Sequence, residues 1–300
     1  MPSISGVKLA HWRKKAKRQA IAANIPEGEV DWLLQAIAPL DSLALRLESF
    51  REQAQIPSSH GLQELDQLWQ QRLEQRLPVQ YLVGKVSWRN FSLSVSPAVL
   101  IPRSETELLI DLAQQAIAES PLPDLAAGQW VDLGTGSGAI ACGLAEAFPA
   151  ATIHAVDQSA AALAVARENA ENLGFSSRIH FYQGSWWSPL AAWRGQISGM
   201  VSNPPYIPTA LIAQLQPEVA QHEPHLALDG GTDGLDCIRH LIATAPDYLR
   251  PGGIWLIEMM AGQAETVKHL LQERGSYERI QIFPDLAGIE RFALAINIKL

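Results

Sequence analysis

The sequence predicts an α/β fold: a mainly parallel sheet covered on both faces, with an antiparallel hairpin at its edge, preceded by a small N-terminal helical bundle. Three observations predict it. Strand and helix signals alternate through residues 129–300, as expected of strands joined by crossover helices. A glycine-rich turn, Gly134-Thr135-Gly136-Ser137-Gly138, follows the first of those strands. Residues 1–77 show apolar residues at helical spacing and no strand signal.

A chain of 300 residues, 47% hydrophobic and 18% charged, is ordinary globular material with room for two domains. Its two cysteines, Cys142 and Cys237, exclude a disulfide framework and match no metal spacing, so a reducing, cytoplasmic setting is expected. No apolar run approaches the ~18 residues of a membrane span. Residues 1–84 carry 10 Lys and Arg against 9 Asp and Glu, whereas residues 85–300 carry 13 against 22. The larger part is acidic, which argues against direct binding to nucleic acid.

In chain order, no acid precedes Glu27, and Arg13, Lys14, Lys15, Lys17 and Arg18 form a basic run. Leu9, Trp12, Ala16 and Ala20 recur at helical spacing, so the run reads as the solvated face of a helix. A cleaved transit peptide is the alternative. Helical runs at 29–38, 41–53 and 61–76 follow, punctuated by Pro26, Pro39, Pro57 and Gly61. Residues 1–77 thus read as a helical domain without a strand or a catalytic cluster, suited to holding a partner. Residues 78–103 form a linker with a hairpin turning at Arg89-Asn90, flanked by Trp88 and Phe91. Ser104 with Glu107 three residues on is a capping box, which should start a helix running to about Glu119 and open a domain over 104–300. Strands are expected at 129–133, 151–156, 178–182, 197–202, 254–259, 277–283 and 291–297. Helices are expected near 138–147, 159–173, 234–249 and 263–274.

The chemistry gathers at strand ends. Glycines at 134, 136 and 138 let backbone approach a ligand closely, with helix N–H groups behind them. Gly134, Gly136 and Ala139 also satisfy a relaxed dinucleotide fingerprint, so an NAD-linked enzyme stays open at this point. Asp157 ends the second strand, where an acid can take a ribose diol. Val201-Ser202-Asn203-Pro204-Pro205-Tyr206 ends the fourth. Its prolines donate no N–H, leaving carbonyls, the Asn203 amide and an aromatic face, a set that suits a planar NH2 group. A strand running into a proline-rich turn is the plainer reading. His154, His222 and His225 read as packing or surface residues, with no metal site around them.

Several stretches in order carry a resemblance: Pro78-Val79-Gln80-Tyr81 with Gly84, Leu100 to Glu107, Asp132 to Ile140, Asn203 to Ile207, Glu223-Pro224 through Asp229-Gly230-Gly231, and Leu249-Arg250-Pro251-Gly252-Gly253. Together they make the chain closely resemble the release factor glutamine methyltransferases. The resemblance implies a Rossmann-like class I methyltransferase sheet. It also implies methyl transfer from S-adenosylmethionine to the glutamine of the Gly-Gly-Gln loop of class I peptide chain release factors. Gly134, Thr135, Gly136, Ser137 and Gly138 would wrap the methionine part of the cofactor, Asp157 would hold the ribose, and Trp186 would lie beside the adenine. Asn203 would sit near the methyl, with Asn203, Pro204, Pro205 and Tyr206 cradling the substrate amide. The chain departs from the family pattern at Ser104, at Ser185 and at Met259-Met260-Ala261. Trp187 is expected to pack, and Arg103 to approach the cofactor or lie on the surface. N6-adenine methylation of DNA or RNA is the alternative reading, and a non-catalytic helical adaptor is a further one.

Overall fold

The structure, a computed structural model, describes residues 2–122 and 124–299. The chain divides into two compact units. The smaller takes in residues up to Lys85 together with Pro217–His222, and the larger takes in the rest.

In the smaller unit, helices span Gly6–Ala22, Gly28–Ile37, Ser42–Leu47, Leu62–Gln75 and Val79–Val83. Leu9, Trp12, Ala16 and Ala20 are all buried, as their spacing predicts, against Leu33, Leu34, Phe50 and Trp69. Three expectations need correction. Ser3–Ile4 pairs antiparallel with Ile56–Pro57, a strand pair too short to leave a periodic signal. The helix expected over 41–53 breaks at Glu48, whose φ is +54°, and continues as a 3-10 turn over Ser49–Glu52. The basic run is only partly solvated. Arg13 binds Asp31 at 2.6 Å, Lys17 binds the same carboxylate at 2.8 Å, and Lys15 binds Asp66 at 3.1 Å, while Lys14 and Arg18 stay exposed.

The larger unit is built on seven strands: Gln129–Leu133, Thr152–Asp157, Ile179–Gln183, Ile197–Ser202, Leu249–Glu258, Tyr277–Pro284 and Glu290–Asn297. Numbered along the chain, they lie in the order sixth, seventh, fifth, fourth, first, second, third. The first five are mutually parallel where they pair; the seventh runs antiparallel to both of its neighbours, which gives the expected edge hairpin. Helices over Ala139–Ala147, Ala160–Asn172, Asp236–Thr244 and Ala264–Arg274 alternate with the strands. The buried strand faces carry Trp130, Val131, Met200, Val201, Trp255 and Ile257. The fifth strand starts five residues earlier than expected, at Leu249. Pro251 cannot donate to a ladder, and the pairing accommodates it with a register shift opposite Ile197 and Gly199.

The hairpin of Lys85–Trp88 and Phe91–Ser94 forms as expected, with Trp88 and Phe91 buried and stacked at 6.4 Å. Trp88 Nε1 donates to the Arg103 carbonyl at 2.9 Å. The capping box does not form. Ser104 has helical backbone angles and its hydroxyl turns to Glu105, while Glu107 accepts the Arg89 N–H at 2.8 Å. The N–H at the hairpin turn has taken the carboxylate the cap required. A 3-10 turn over Glu105–Glu107 therefore leads into the helix Leu108–Ala118.

In the smaller unit Arg72 is 2% exposed and binds Glu29 at 2.6 Å and Glu218 at 2.7 Å; Arg76 also reaches Glu218. Removing this buried cation leaves Glu29 without it and Glu218 with Arg76 alone. Arg72→Met is expected to destabilise this unit by roughly 3 kcal/mol. Hydrogen exchange should show faster exchange of the Leu62–Gln75 amides with the central sheet unchanged.

Candidate functional site

The first strand lies between the second and the fourth, so the chain reverses its direction of travel across the sheet there. Ligands in open α/β sheets bind outside the carboxyl ends of the strands at such a switch point. Asp132 and Val201 are cross-strand partners, so the glycine turn and the Asn-Pro-Pro-Tyr segment leave the sheet side by side. A cavity of about 350 Å³ opens where they emerge. Gly134, Gly136, Asp157, Trp186, Asn203 and Pro205 all lie on its wall.

The five turn residues divide between two tasks. Gly134 and Gly136 face the cavity. Thr135 and Ser137 are buried, with Thr135 Oγ1 donating to Asp132 at 2.6 Å and the Ser137 carbonyl accepting from Asn169 Nδ2 at 2.8 Å. Gly138 has a φ of +81°, and a Cβ there would lie 3.1 Å from the Ala166 methyl, so the turn and the helix Ala160–Asn172 could not approach so closely with any other residue. Asp157 accepts from the Gly136 N–H and the Ser159 N–H, each at 2.9 Å. Its carboxylate is therefore oriented while each oxygen retains further acceptor capacity. Trp187 is buried and stacked on Tyr248 at 4.4 Å, as expected.

Within the tetrapeptide, Asn203 and Pro205 reach the cavity wall, whereas Pro204 is buried. Tyr206 donates its hydroxyl to Glu258 Oε1 at 3.0 Å. Asn203 Nδ2 donates to Thr106 Oγ1 at 3.2 Å, and Thr106 Oγ1 donates to Glu258 Oε2 at 2.6 Å. Glu258 is 2% exposed, and burial pushes its carboxyl above the usual range. Gln263 braces the loop from behind: its Nε2 donates to the carbonyls of Tyr206 and Gly234, and its Oε1 accepts the Met260 N–H. Gly234, at φ +77°, leaves the room this needs, since a Cβ would sit 2.3 Å from the Tyr206 carbonyl oxygen.

Sequence reasoning missed Thr106, Glu258 and Gln263. Thr106 lay inside a quoted motif, and Glu258 was a lone charge closing an apolar strand, which was the available signal. Arg103 forms an ion pair at 2.8 Å with Glu223, whose side chain is 1% exposed. His154 is buried between Tyr182 and Gln129, and burial lowers it to about 4, which fits the packing role. Among the described residues no group of three or more His, Cys, Asp or Glu could hold a metal ion.

Asp132 is fully buried. Its Oδ2 accepts from Thr135 and from the Ala141 N–H, and its Oδ1 has no protein partner among the described residues. Burial pushes this carboxyl up to about 7. The folded state then keeps a proton between about pH 4 and 7 that the unfolded chain has released, so this group costs stability as pH rises through that window. Asp132→Asn should remove that slope, raising stability at pH 8 relative to pH 4 by at most about 4 kcal/mol compared with the parent. Urea unfolding at several pH values measures it.

Residues 106–222 match the family model described as the methyltransferase small domain. The chain is 52% identical over 296 residues to a release factor glutamine methyltransferase from Synechocystis, covering 99% of this chain and 98% of that one. A protein of the same name from Thermosynechococcus vestitus is 46% identical, covering 97% and 99%. Among solved structures, the hMettl16 catalytic domain in complex with a 3′UTR hairpin aligns with a TM-score of 0.55 at 13% identity, over 81% of this chain and 83% of that chain, a likeness of fold. With near-complete coverage at this identity, the chain belongs to the release factor glutamine methyltransferase family.

Proposed function

We propose that this protein transfers a methyl group from S-adenosylmethionine to the side-chain nitrogen of the glutamine in the Gly-Gly-Gln loop of class I peptide chain release factors, and so modulates translation termination. The observation that carries the reading is the placement of Asn203 on the wall of the same cavity as Asp157 and Trp186, in a chain of this family. Residues 1–77 serve to recognise the protein substrate, 78–103 link, and 104–300 carry the chemistry. The reaction belongs in the cytoplasm, where release factors work. No helix among the described residues is long and apolar enough to cross a membrane.

The cavity suits the cofactor. Asp157 offers two pre-oriented carboxylate oxygens to a ribose diol, Trp186 offers an aromatic wall to the adenine, and Gly134 and Gly136 leave backbone exposed to the methionine part. Thr135, Ser137 and Gly138 support that turn from inside. The cofactor supplies an electrophilic methyl on a sulfonium centre. A glutamine side-chain nitrogen is a poor nucleophile because its lone pair is delocalised into the carbonyl. Asn203 Oδ1 and the Pro204 carbonyl would each accept one N–H, orienting the nitrogen and favouring its pyramidal form, while Pro205 and Tyr206 shape the slot. Positioning of this kind can be worth ~7–11 kcal/mol. Acceptors facing the charge that develops on nitrogen add an electrostatic share. No base is needed before attack, since the alkylated nitrogen sheds its proton afterwards.

The reading is tested by offering a release factor and adenine-containing oligonucleotides together with labelled cofactor. Label should appear on the loop glutamine and vanish when that glutamine is replaced by alanine; label on adenine at a comparable rate overturns it. The acidic balance of residues 85–300 favours the protein acceptor. Two variants separate binding from chemistry. Asn203→Ala should lower kcat by ~10²–10³ with cofactor affinity retained, because its amide acts on the acceptor. Asp157→Ala should weaken S-adenosylhomocysteine binding by roughly 1.5–3 kcal/mol in calorimetry.

A further inference from the structure

We infer that Glu258 and Thr106 are positioning residues that set, through a one-way chain of hydrogen bonds, which end of the Asn203 amide faces the methyl acceptor. The inference rests on the proposed function, since it concerns the acceptor that Asn203 would meet. Burial raises the Glu258 carboxyl, and the hydroxyls of Thr106 and Tyr206 together with Arg291 favour its ionised form. Ionised, it only accepts, taking the Thr106 hydroxyl on Oε2 at 2.6 Å and the Tyr206 hydroxyl on Oε1 at 3.0 Å. Each hydroxyl has a single hydrogen, so both are committed to Glu258. Thr106 Oγ1 is left able only to accept, and the amide end it can pair with, 3.2 Å away, is the amino end. The amino group of Asn203 must therefore turn to Thr106, and its carbonyl oxygen becomes the free end of a residue on the cavity wall. A flipped amide would set two oxygens against each other with no hydrogen between them.

The chain also has an electrical sense. Every donor in it points towards Glu258, which lies 2% exposed at the end of the fifth strand. Hydrogen bonds that run in one direction polarise one another. The negative charge behind Thr106 strengthens its acceptance from Asn203 and leaves more negative charge on Asn203 Oδ1. That is the atom proposed to accept from a nitrogen that becomes positive. The three residues come from three elements: Thr106 from the 3-10 turn Glu105–Glu107, Asn203 from the end of the fourth strand, and Glu258 from the end of the fifth.

Thr106→Val keeps the shape and removes the acceptor, Thr106→Ser restores it, and Glu258→Gln adds an amino donor that competes for the Thr106 oxygen. In steady-state methylation of a release factor, Thr106→Val and Glu258→Gln should lower kcat by about 10- to 100-fold, the range in which supporting partners of a site act. KM, cofactor affinity and melting temperature should stay near the parent values, and Thr106→Ser should recover most of kcat. The parent enzyme in the same assay separates this inference from the functional proposal, because absence of any label there counts against the latter. Independently of turnover, the ¹⁵N-labelled side-chain NH2 of Asn203, assigned by its loss in Asn203→Ala, should exchange slowly in the parent and Thr106→Ser. It should exchange faster in Thr106→Val. The inference is overturned if kcat stays within two-fold in Thr106→Val, if the loss is instead one of folding or cofactor binding, or if the NH2 exchange is unchanged.

Discussion

Carboxylates at the carboxyl ends of strands hold the loops of this site in place, and the rest of its geometry depends on them. Asp132, in the first strand, accepts from Thr135 and from the first turn of the following helix. Asp157, ending the second, accepts from Gly136 and Ser159. Glu258, ending the fifth, accepts from Thr106 and Tyr206. A parallel sheet delivers all its strand ends to one edge, so acids placed there meet loops whose backbone and hydroxyl donors have no ladder to join. Two of the three are buried, and burial raises their carboxyls because the charged form loses water. Such groups are costly to keep, and hydrogen bonds from the loops offset part of that cost.

The small polar residues then join elements that the sheet alone would leave loose. Asn169, 1% exposed on the helix Ala160–Asn172, accepts the Ser94 N–H and donates to the carbonyls of Ser94 and Ser137. One side chain thus ties the hairpin to the glycine turn. Gln263 does the same for Tyr206 and Gly234. Each of these amides uses both its donor and its acceptor ends on backbone groups, the pattern that keeps a buried polar residue from destabilising the core.

Most of the sheet was legible in the sequence because its signals are local. Apolar runs such as Ile197 to Val201 end at once in prolines, and the glycine turn follows an apolar strand directly. The positions of Gly134, Asp157 and Asn203 at the strand ends followed from that punctuation. What escaped was long-range. Thr106 and Glu258 stand 152 positions apart, and Ser94 and Asn169 stand 75 apart, so no spacing rule joins them. The failed capping box at Ser104 has the same origin: a local motif lost its carboxylate to Arg89, 18 residues upstream of Glu107. The strand pair at Ser3–Ile4 escaped for a different reason, since two residues cannot show a period.

Under the proposed function, with Asn203 as the acceptor-orienting residue, its separation from Glu258 has a chemical logic of its own. A carboxylate would be the stronger acceptor for a nitrogen that becomes positive, yet a carboxylate is also a nucleophile. Placed on the cavity wall, it would stand where an alkylating methyl group could be lost to it as an ester. An amide oxygen is a far weaker nucleophile and stays neutral across the working pH range, so it can orient an N–H without competing for the methyl. Setting the acid one hydroxyl further back, behind Thr106, keeps its field in a low-dielectric interior where charge acts strongly over short distances. The buried position of Glu258 is then useful as well as costly, because the water that would screen its charge is excluded along with the reaction it could suffer.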